Sequence, residues 1–363
     1  VAPFAEEKMK PFMVLAFAAL AAPALAQDAA APARPAPAPL QIAAPRYETV
    51  SVGMQVMAPA AKVWARVGKF CDIAEAEPEL GRCKYLSGSG GPGTVRSINN
   101  EVLVGGSKYS YTYAQAPRAG VPYNLYHGTL LAVPSSPNTA RLNHLVFLDT
   151  SMLDEATRKK TLAELQARLT RSVANMKALA EGRKLPASPA AAPPMADQAP
   201  FQNPSPRYVA IPMQIAVNAP VEVVWSRIGH FCDIGRIGSV GFPTCQIVEG
   251  ADGEYGVVRS VGREVLVGRA MDSYTYAQQM RASGFYALYH GTIEARYITP
   301  KTTTLYWTLV YDNSSLGNDD DAIQRDIANR RTRFMSMLQA VKSIAEGTTP
   351  PDTEDAPPGE GGP

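Results

Sequence analysis

Two arginine–glutamate hairpins are the first residues in this chain whose types and spacing could do chemistry. Arg96-Ser97-Ile98-Asn99-Asn100-Glu101 lies between Gly93 and Gly105, and it returns 163 residues later as Arg259-Ser260-Val261-Gly262-Arg263-Glu264 between Gly256 and Gly268. Two-residue loops such as Asn99-Asn100 or Gly262-Arg263 suit hairpin turns whose central residues take positive φ. Such a turn pairs Ile98 with Glu101 and Arg96 with Leu103, so all four share a face. Arg259, Val261, Glu264 and Leu266 follow in the same way. The apolar members mark that face as concave and buried. A carboxylate there is costly unless paired, and a guanidinium can bond it in bidentate fashion. Two readings stand: a pair that satisfies itself and fixes the hairpin, or a polar anchor at the end of an apolar cavity.

Other candidates flank the hairpins. Tyr111 and Tyr113, with Tyr109 beside them, stripe the next strand, and Tyr274 and Tyr276 repeat the stripe. They either fill core volume or present hydroxyls to a ligand or a reacting carbonyl. The echo Tyr126-His127-Gly128-Thr129 against Tyr289-His290-Gly291-Thr292 puts its tyrosines and its histidines on opposite faces. His127 and His290 therefore point outward or toward a neighbouring surface, away from any chemistry. His144 sits among Val146 and Leu148 where the second repeat has Trp307 among Leu309 and Tyr311, so both point inward and the two interiors differ. The plain reading of His144 is a satisfied core histidine. No His/Cys/Asp/Glu spacing resembles a metal site, no glycine loop could cradle a phosphate, and no cofactor is implied.

A formal net charge of +2 with no Lys/Arg-rich run gives no footprint for nucleic acid. Residues 1–26 read as an export signal, with Met9-Lys10 basic, an apolar run from Phe12 to Ala24, and Ala24-Leu25-Ala26 as the cleavage site. The signal reads best from Met9, leaving Val1 to Lys8 as an upstream mis-start. The remainder has no stretch of about 18 consecutive apolar residues, so no transmembrane segment is expected in the mature chain. Export to the periplasm or the exterior favours disulfides, and Cys71/Cys83 and Cys232/Cys245 fall one pair to a repeat. Four cysteines allow three connectivities, and free buried thiols are the alternative.

Thirty-one prolines exceed what two compact domains need, and they concentrate in Pro/Ala linkers at 27–46 and 183–206. An acidic Pro/Gly tail at 348–363 reads as disordered. Domains at 47–182 and 207–347 remain. Each begins with an alternating strand (Val50, Val52, Met54, Val56 in the first) and a short helix opened by Ala58-Pro59 or Ala219-Pro220. A second short helical piece follows, then strands near 83–86, 94–98, 101–104, 108–115, 123–133 and 141–149. Ser151-Met152-Leu153-Asp154 resembles a capping box opening a helix striped by Leu162, Leu165, Leu169, Val173, Met176 and Leu179. The last helix starts at Asn318-Asp319-Asp320-Asp321 and carries Ile323, Ile327, Phe334, Leu338 and Val341. This is an α+β pattern: a curved antiparallel sheet wrapped around one long C-terminal helix, twice in tandem.

The Ala-Pro-x-x-x-Val-Trp helix start (Ala58 to Trp64, Ala219 to Trp225), Gly-x-x-Arg before Glu-x-Leu, and the long final helix resemble the SRPBCC superfamily of helix-grip proteins. That group includes polyketide cyclase-like proteins, START lipid carriers and plant abscisic-acid receptors. The resemblance implies a hydrophobic cavity between sheet and helix, faced by Glu101 and Glu264 and by Tyr126 and Tyr289. The receptors' long gate loop is missing, and their pocket lysine has no counterpart near Leu86 or Val248, which disfavours a hormone receptor. The leading expectation is an exported binding or carrier protein for a hydrophobic small molecule or lipid, more a binder than an enzyme. One alternative is a cyclase/dehydratase using cavity Tyr, Arg and Glu. Another is a structural or partner-binding module in which the repeats form an intramolecular pseudo-dimer.

Overall fold

The computed structural model describes residues 40–116, 118, 124–185, 203–237, 244–281 and 287–350, all within one compact unit, Ala38–Pro363. The export signal, most of the Pro/Ala linkers, nearly all of the tail and the expected strand start at Tyr123 lie outside these residues. Among the described residues no helix is long and apolar enough to cross a membrane.

The first half runs β1 (Tyr47–Val56), α1 (Ala60–Val67), α2 (Ile73–Ala76), β2 (Tyr85–Ser87), β3 (Val95–Arg96), β4 (Glu101–Ser107), β5 (Ser110–Gln115), β6 (Tyr126–Ser136), β7 (Thr139–Asp149) and α3 (Glu155–Ala180). The second half runs β8 (Tyr208–Val217), α4 (Val221–Ile228), β9 (Ile247–Glu249), β10 (Val258–Arg259), β11 (Glu264–Ala270), β12 (Ser273–Gln278), β13 (Tyr289–Thr299), β14 (Thr302–Asp312) and α5 (Asp320–Glu346). Each half forms one seven-stranded antiparallel sheet, in the orders β1-β7-β6-β5-β4-β3-β2 and β8-β14-β13-β12-β11-β10-β9. In each the long helix lies on the concave face, burying Leu165, Leu169, Val173 and Met176 in one core and Phe334, Leu338 and Val341 in the other. The protein is thus two tandem helix-grip domains.

Three local expectations change. The helix that was to open at Ser151 is capped by Asp154, whose carboxylate accepts from the Thr157 N–H at 2.8 Å, and Asp319 does the same for Ala322 at 2.9 Å. The first hairpin keeps its positive-φ turn at Asn99 and Asn100, but Arg96 lies directly opposite Glu101, not Leu103. The strand stops at Arg96 because the Ser97 N–H bonds the Lys84 carbonyl at 2.9 Å, so the turn proper sits outside the ladder. The end of the first linker is also not loose: the Gln41 N–H donates to the Met280 carbonyl at 2.9 Å, beside a bridge between Leu40 and Arg281.

The convex faces of the two sheets pack against one another. Leu125, Leu145 and Phe147 of the first domain form one cluster with Val258, Val265, Val267 and Ala277 of the second. Val95, Val102, Val104 and Ala114 meet Leu288 and Val310 in its counterpart. The repeated motif glycines follow from this contact. A Cβ on Gly105 would lie 2.2 Å from Thr292 Oγ1, and one on Gly268 would lie 2.3 Å from Thr112 Oγ1. Both sit just after a bulge in the β4–β5 or β11–β12 ladder, which lets the backbone approach the sister sheet. Gly128 and Gly291 serve the opposite face, where a Cβ would strike the ring of Tyr113 at 2.1 Å or of Tyr276 at 2.2 Å.

The structure contains Cys71–Cys83 and Cys232–Cys245, which tie each α1 or α4 segment to the edge strand that follows. Substituting Gly105→Ala should cost about 1–3 kcal/mol through overpacking. A denaturant melt checks it, and Gly91→Ala, where a Cβ meets nothing within 4 Å, should leave the midpoint nearly unchanged.

Candidate functional site

Arg96 and Glu101 face the concave side of the first sheet, under α1 and α2. The Arg96 Nε donates to Glu101 Oε2 at 2.6 Å, its second terminal nitrogen lies 2.5 Å from the same oxygen, and the first bonds the Phe70 carbonyl. The Gln115 amide donates to Glu101 Oε1 at 3.3 Å. The guanidinium lies between the Phe70 and Tyr113 rings, 4.2 and 4.7 Å from their centroids. Arg259 repeats this: 2.6 Å to Glu264 Oε2, 2.5 Å to the Phe231 carbonyl, 4.2 Å over Phe231 and 4.8 Å over Tyr276. Burial by itself would lower the pKa of each arginine, but the adjacent carboxylate outweighs it and the pKa is raised. Each arginine therefore ties the loop after α1 or α4 to the hairpin, with its polar bonds already made.

The other predicted residues also lie inside, and the two interiors differ. In the first domain Tyr113 Oη is 3.4 Å from His144 Nε2, and Arg168 of α3 donates to Tyr126 Oη at 3.0 Å. Glu77, 2% exposed, sits where Arg168 and Ser172 act on its carboxyl. Among the described residues His144 Nδ1 makes no hydrogen bond, while Ser172 faces the Glu77 carboxyl and Arg96 faces the Tyr111 hydroxyl. Burial raises the Glu77 pKa and carries that of Tyr111 up to about 12. It pushes the His144 pKa down to about 3, helped by Arg168 and Arg96.

In the second domain the position of His144 is Trp307, 1% exposed. Its Nε1 donates to Tyr276 Oη at 3.2 Å and its ring meets Phe334 edge-on at 5.0 Å. Counted from the N-caps Asp154 and Asp319, Ser172 corresponds to Met337, which is fully buried. Tyr274 packs edge-on against Phe231 at 5.7 Å, as Tyr111 does against Phe70 at 5.6 Å in the first domain. Nearer the mouth, Tyr311 donates to Asp326 at 2.7 Å, and Arg330 donates to the same carboxylate at 2.9 Å. Arg330 also lies over Tyr311 and Tyr289, 4.7 and 5.8 Å from their centroids. The first domain has Leu148, Thr161 and Leu165 in these places.

Sequence reasoning passed over Glu77, Arg168, Asp326 and Arg330. Three of them carried a readable signal: Arg168 lies between Leu165 and Ser172 on the buried stripe of α3, and Asp326 and Arg330 interrupt the stripe between Ile323 and Phe334. Glu77 carried none. A cleft of about 180 Å³ lies where the two domains meet, and none of the predicted cavity residues lines it. That cleft is walled by Lys108, Tyr109, Pro134, Met271, Glu294 and Tyr297. Among the described residues no three His, Cys, Asp or Glu side chains gather as a metal site.

No protein-family model and no curated protein matches the chain. Among solved structures, the di-domain ARO/CYC BexL from the BE-7585A biosynthetic pathway is 14% identical, with 83% of this chain and 98% of that one covered and a TM-score of 0.29. The di-domain ARO/CYC StfQ from the steffimycin pathway is 14% identical over 82% and 98%, TM-score 0.31. Truncated norcoclaurine synthase from Thalictrum flavum is 14% identical over 39% of this chain and 97% of its own, TM-score 0.31. At these values the likenesses carry no reaction to this chain, and the fold stands on its own strands and helices.

Replacing Arg96 by Met strands the buried Glu101 and should destabilise the protein by about 3–5 kcal/mol, read from urea unfolding. Glu264→Gln should lower stability and leave any uptake of small molecules unchanged. Reduced uptake at unchanged stability would mark Glu264 as a ligand anchor instead of a brace.

Proposed function

We propose that this protein binds a largely apolar small molecule inside its first domain, between the sheet and α3, and that the second domain is the packed scaffold. The observation that supports this most is the asymmetry of buried polar side chains between the two interiors. Native interiors leave few buried polar groups unpartnered, because each costs about 1–3 kcal/mol. Here His144, with a buried Nδ1 that has no partner among the described residues, and Ser172, which faces the Glu77 carboxyl, share one interior, while Trp307 and Met337 fill their places in the other. A ligand with an apolar body and one or two hydroxyl or carbonyl groups answers such a lining of aromatic rings and converging donors and acceptors. In this reading Tyr111, Tyr113, Tyr126 and His144 are lining residues, Arg168 and Glu77 orient the ligand, and the arginine–glutamate pairs hold the wall. Two disulfides suit an exported binder.

A second reading is acid–base catalysis of the cyclase or dehydratase kind. It is favoured by one feature: a buried carboxyl of raised pKa, Glu77, close to Arg168, which in turn bonds the Tyr126 hydroxyl. A carboxyl that burial makes more readily protonated can pass a proton to a substrate carbonyl and recover it.

Filling the first interior as the second is filled tests the proposal. His144→Trp should abolish the fluorescence enhancement of anilinonaphthalene sulfonate by the folded full-length chain, while Trp307→Phe leaves it unchanged. Binding that survives His144→Trp in a protein of unchanged far-UV spectrum defeats the first-domain site.

A further inference from the structure

The two histidines that the sequence directs away from the interiors meet each other. His127 and His290, equivalent residues of the two repeats, bring their Nε2 atoms to 2.7 Å across the packed convex faces, 1% and 4% exposed. We propose that this contact is an acid-sensitive clasp holding the two domains together.

A hydrogen bond between two imidazole nitrogens needs one proton, on one of them. The donor ring then has a bare Nδ1, and the acceptor carries its proton on Nδ1. Neither Nδ1 has a partner among the described residues. A first added proton can enter only at the donor's bare Nδ1, where no acceptor or anion meets the charge. A second sets N–H against N–H between two cations, which no rotation of either ring repairs inside the packed interface.

The surroundings offer no compensation. Across the ladders His127 faces Ala114 and Phe147, and His290 faces Ala277 and Val310. Next along the same face come Thr129, Thr112 and Leu145, and their counterparts Thr292 and Thr275, with Val104 and Val267 of the two motif strands. None of these titrates. Of the carboxylates at the end of that face, Asp149 accepts at Oδ1 from the Arg46 and Ser151 N–H groups while its Oδ2 makes no bond among the described residues, and Asp312 accepts from those of Arg207 and Ser314; neither acts on the two imidazoles. Further along β13, Glu294 accepts from Arg296 and from the Lys108 N–H, and at the opposite end Arg263 pairs with Glu249 and Gln279. Burial accordingly drives the His127 pKa down to about 3, and burial together with His127 takes His290 well below its usual value.

The sign is that of a base whose pKa is depressed in the closed state. Separated domains expose both rings, which bind two protons as pH falls below about 6.5, while the closed interface binds none until far lower. The closed form is therefore favoured fully above that pH, and its advantage declines below it by up to about 100-fold per pH unit, tenfold for each ring.

Urea unfolding of the full-length chain between pH 7 and 4.5 reads the effect, with far-UV dichroism reporting the domains and small-angle scattering their separation. All proteins carry His144→Gln so that the third buried imidazole does not contribute. The parent should take up two more protons on opening than His127→Gln/His290→Gln, whose amides hydrogen-bond without titrating. Each single variant should take up one more than the double, which keeps the test valid where the double variant folds poorly. The same pH slope in the parent and the His127→Gln/His290→Gln protein overturns the proposal, whether separation precedes unfolding or coincides with it.

Discussion

Each central strand of this protein is buried on both faces, against its own long helix on one side and against the sister sheet on the other. An antiparallel sheet with one wet face alternates apolar and polar residues, whereas a sheet covered twice reads as a continuous apolar run. The motif Glu-Val-Leu-Val-Gly is such a run, with Leu103 and Leu266 turned to the helix and Val102, Val104, Val265 and Val267 to the other domain. The glycine that ends each run is fixed by the approach of threonines from the opposite sheet. The repeat is thus preserved where the two halves touch and where each hairpin is braced. Within the interiors it diverges at His144/Trp307, and at the interface at Phe147/Val310.

The brace is a buried ion pair used for shape more than for stability. Removing two charges from water costs several kcal/mol for each ion, and the pair recovers this only with good geometry and further hydrogen bonds. Here the arginine also binds a backbone carbonyl and lies between aromatic faces, so one side chain ties helix, loop and hairpin together. That arrangement requires Arg96 to stand directly opposite Glu101. The diagonal expected from a two-residue loop would place the carboxylate one pair further along. The ladder instead ends two residues before the turn, because the Ser97 and Ser260 N–H groups are drawn to the carbonyls of Lys84 and Gln246 ahead of the edge strands.

Local periodicity made the succession of strands and the two helix stripes legible, and the echo at 163 residues made the duplication legible, whereas the pairing of β1 with β7 and of β8 with β14 joins residues far apart in sequence. The parity of Tyr126-His127-Gly128 placed the tyrosine inside and the histidine outside, and that is where the structure puts them. What covers the outer face was not legible, because nothing in the strand distinguishes a sister domain from another surface. Glu77 was invisible for a related reason: it lies on a short irregular connection with no period to violate. Arg168, Asp326 and Arg330 did break a period, and a charge within a buried helical stripe deserved the weight given to the tyrosines.

The divergence of the interiors has a direct physical consequence. A tryptophan and a methionine close the second interior with dispersion contacts and one satisfied indole bond, which makes a good structural core. The first interior keeps a histidine whose Nδ1 has no partner among the described residues, a free-energy cost that the indole in its place in the second domain does not carry. A folded pair can carry that cost because the shared interface stabilises both halves at once. The packed domain and the polar one are therefore not two independent solutions to the same fold. One interior is closed by Trp307 and Met337, and the other keeps His144 and Ser172 in their places.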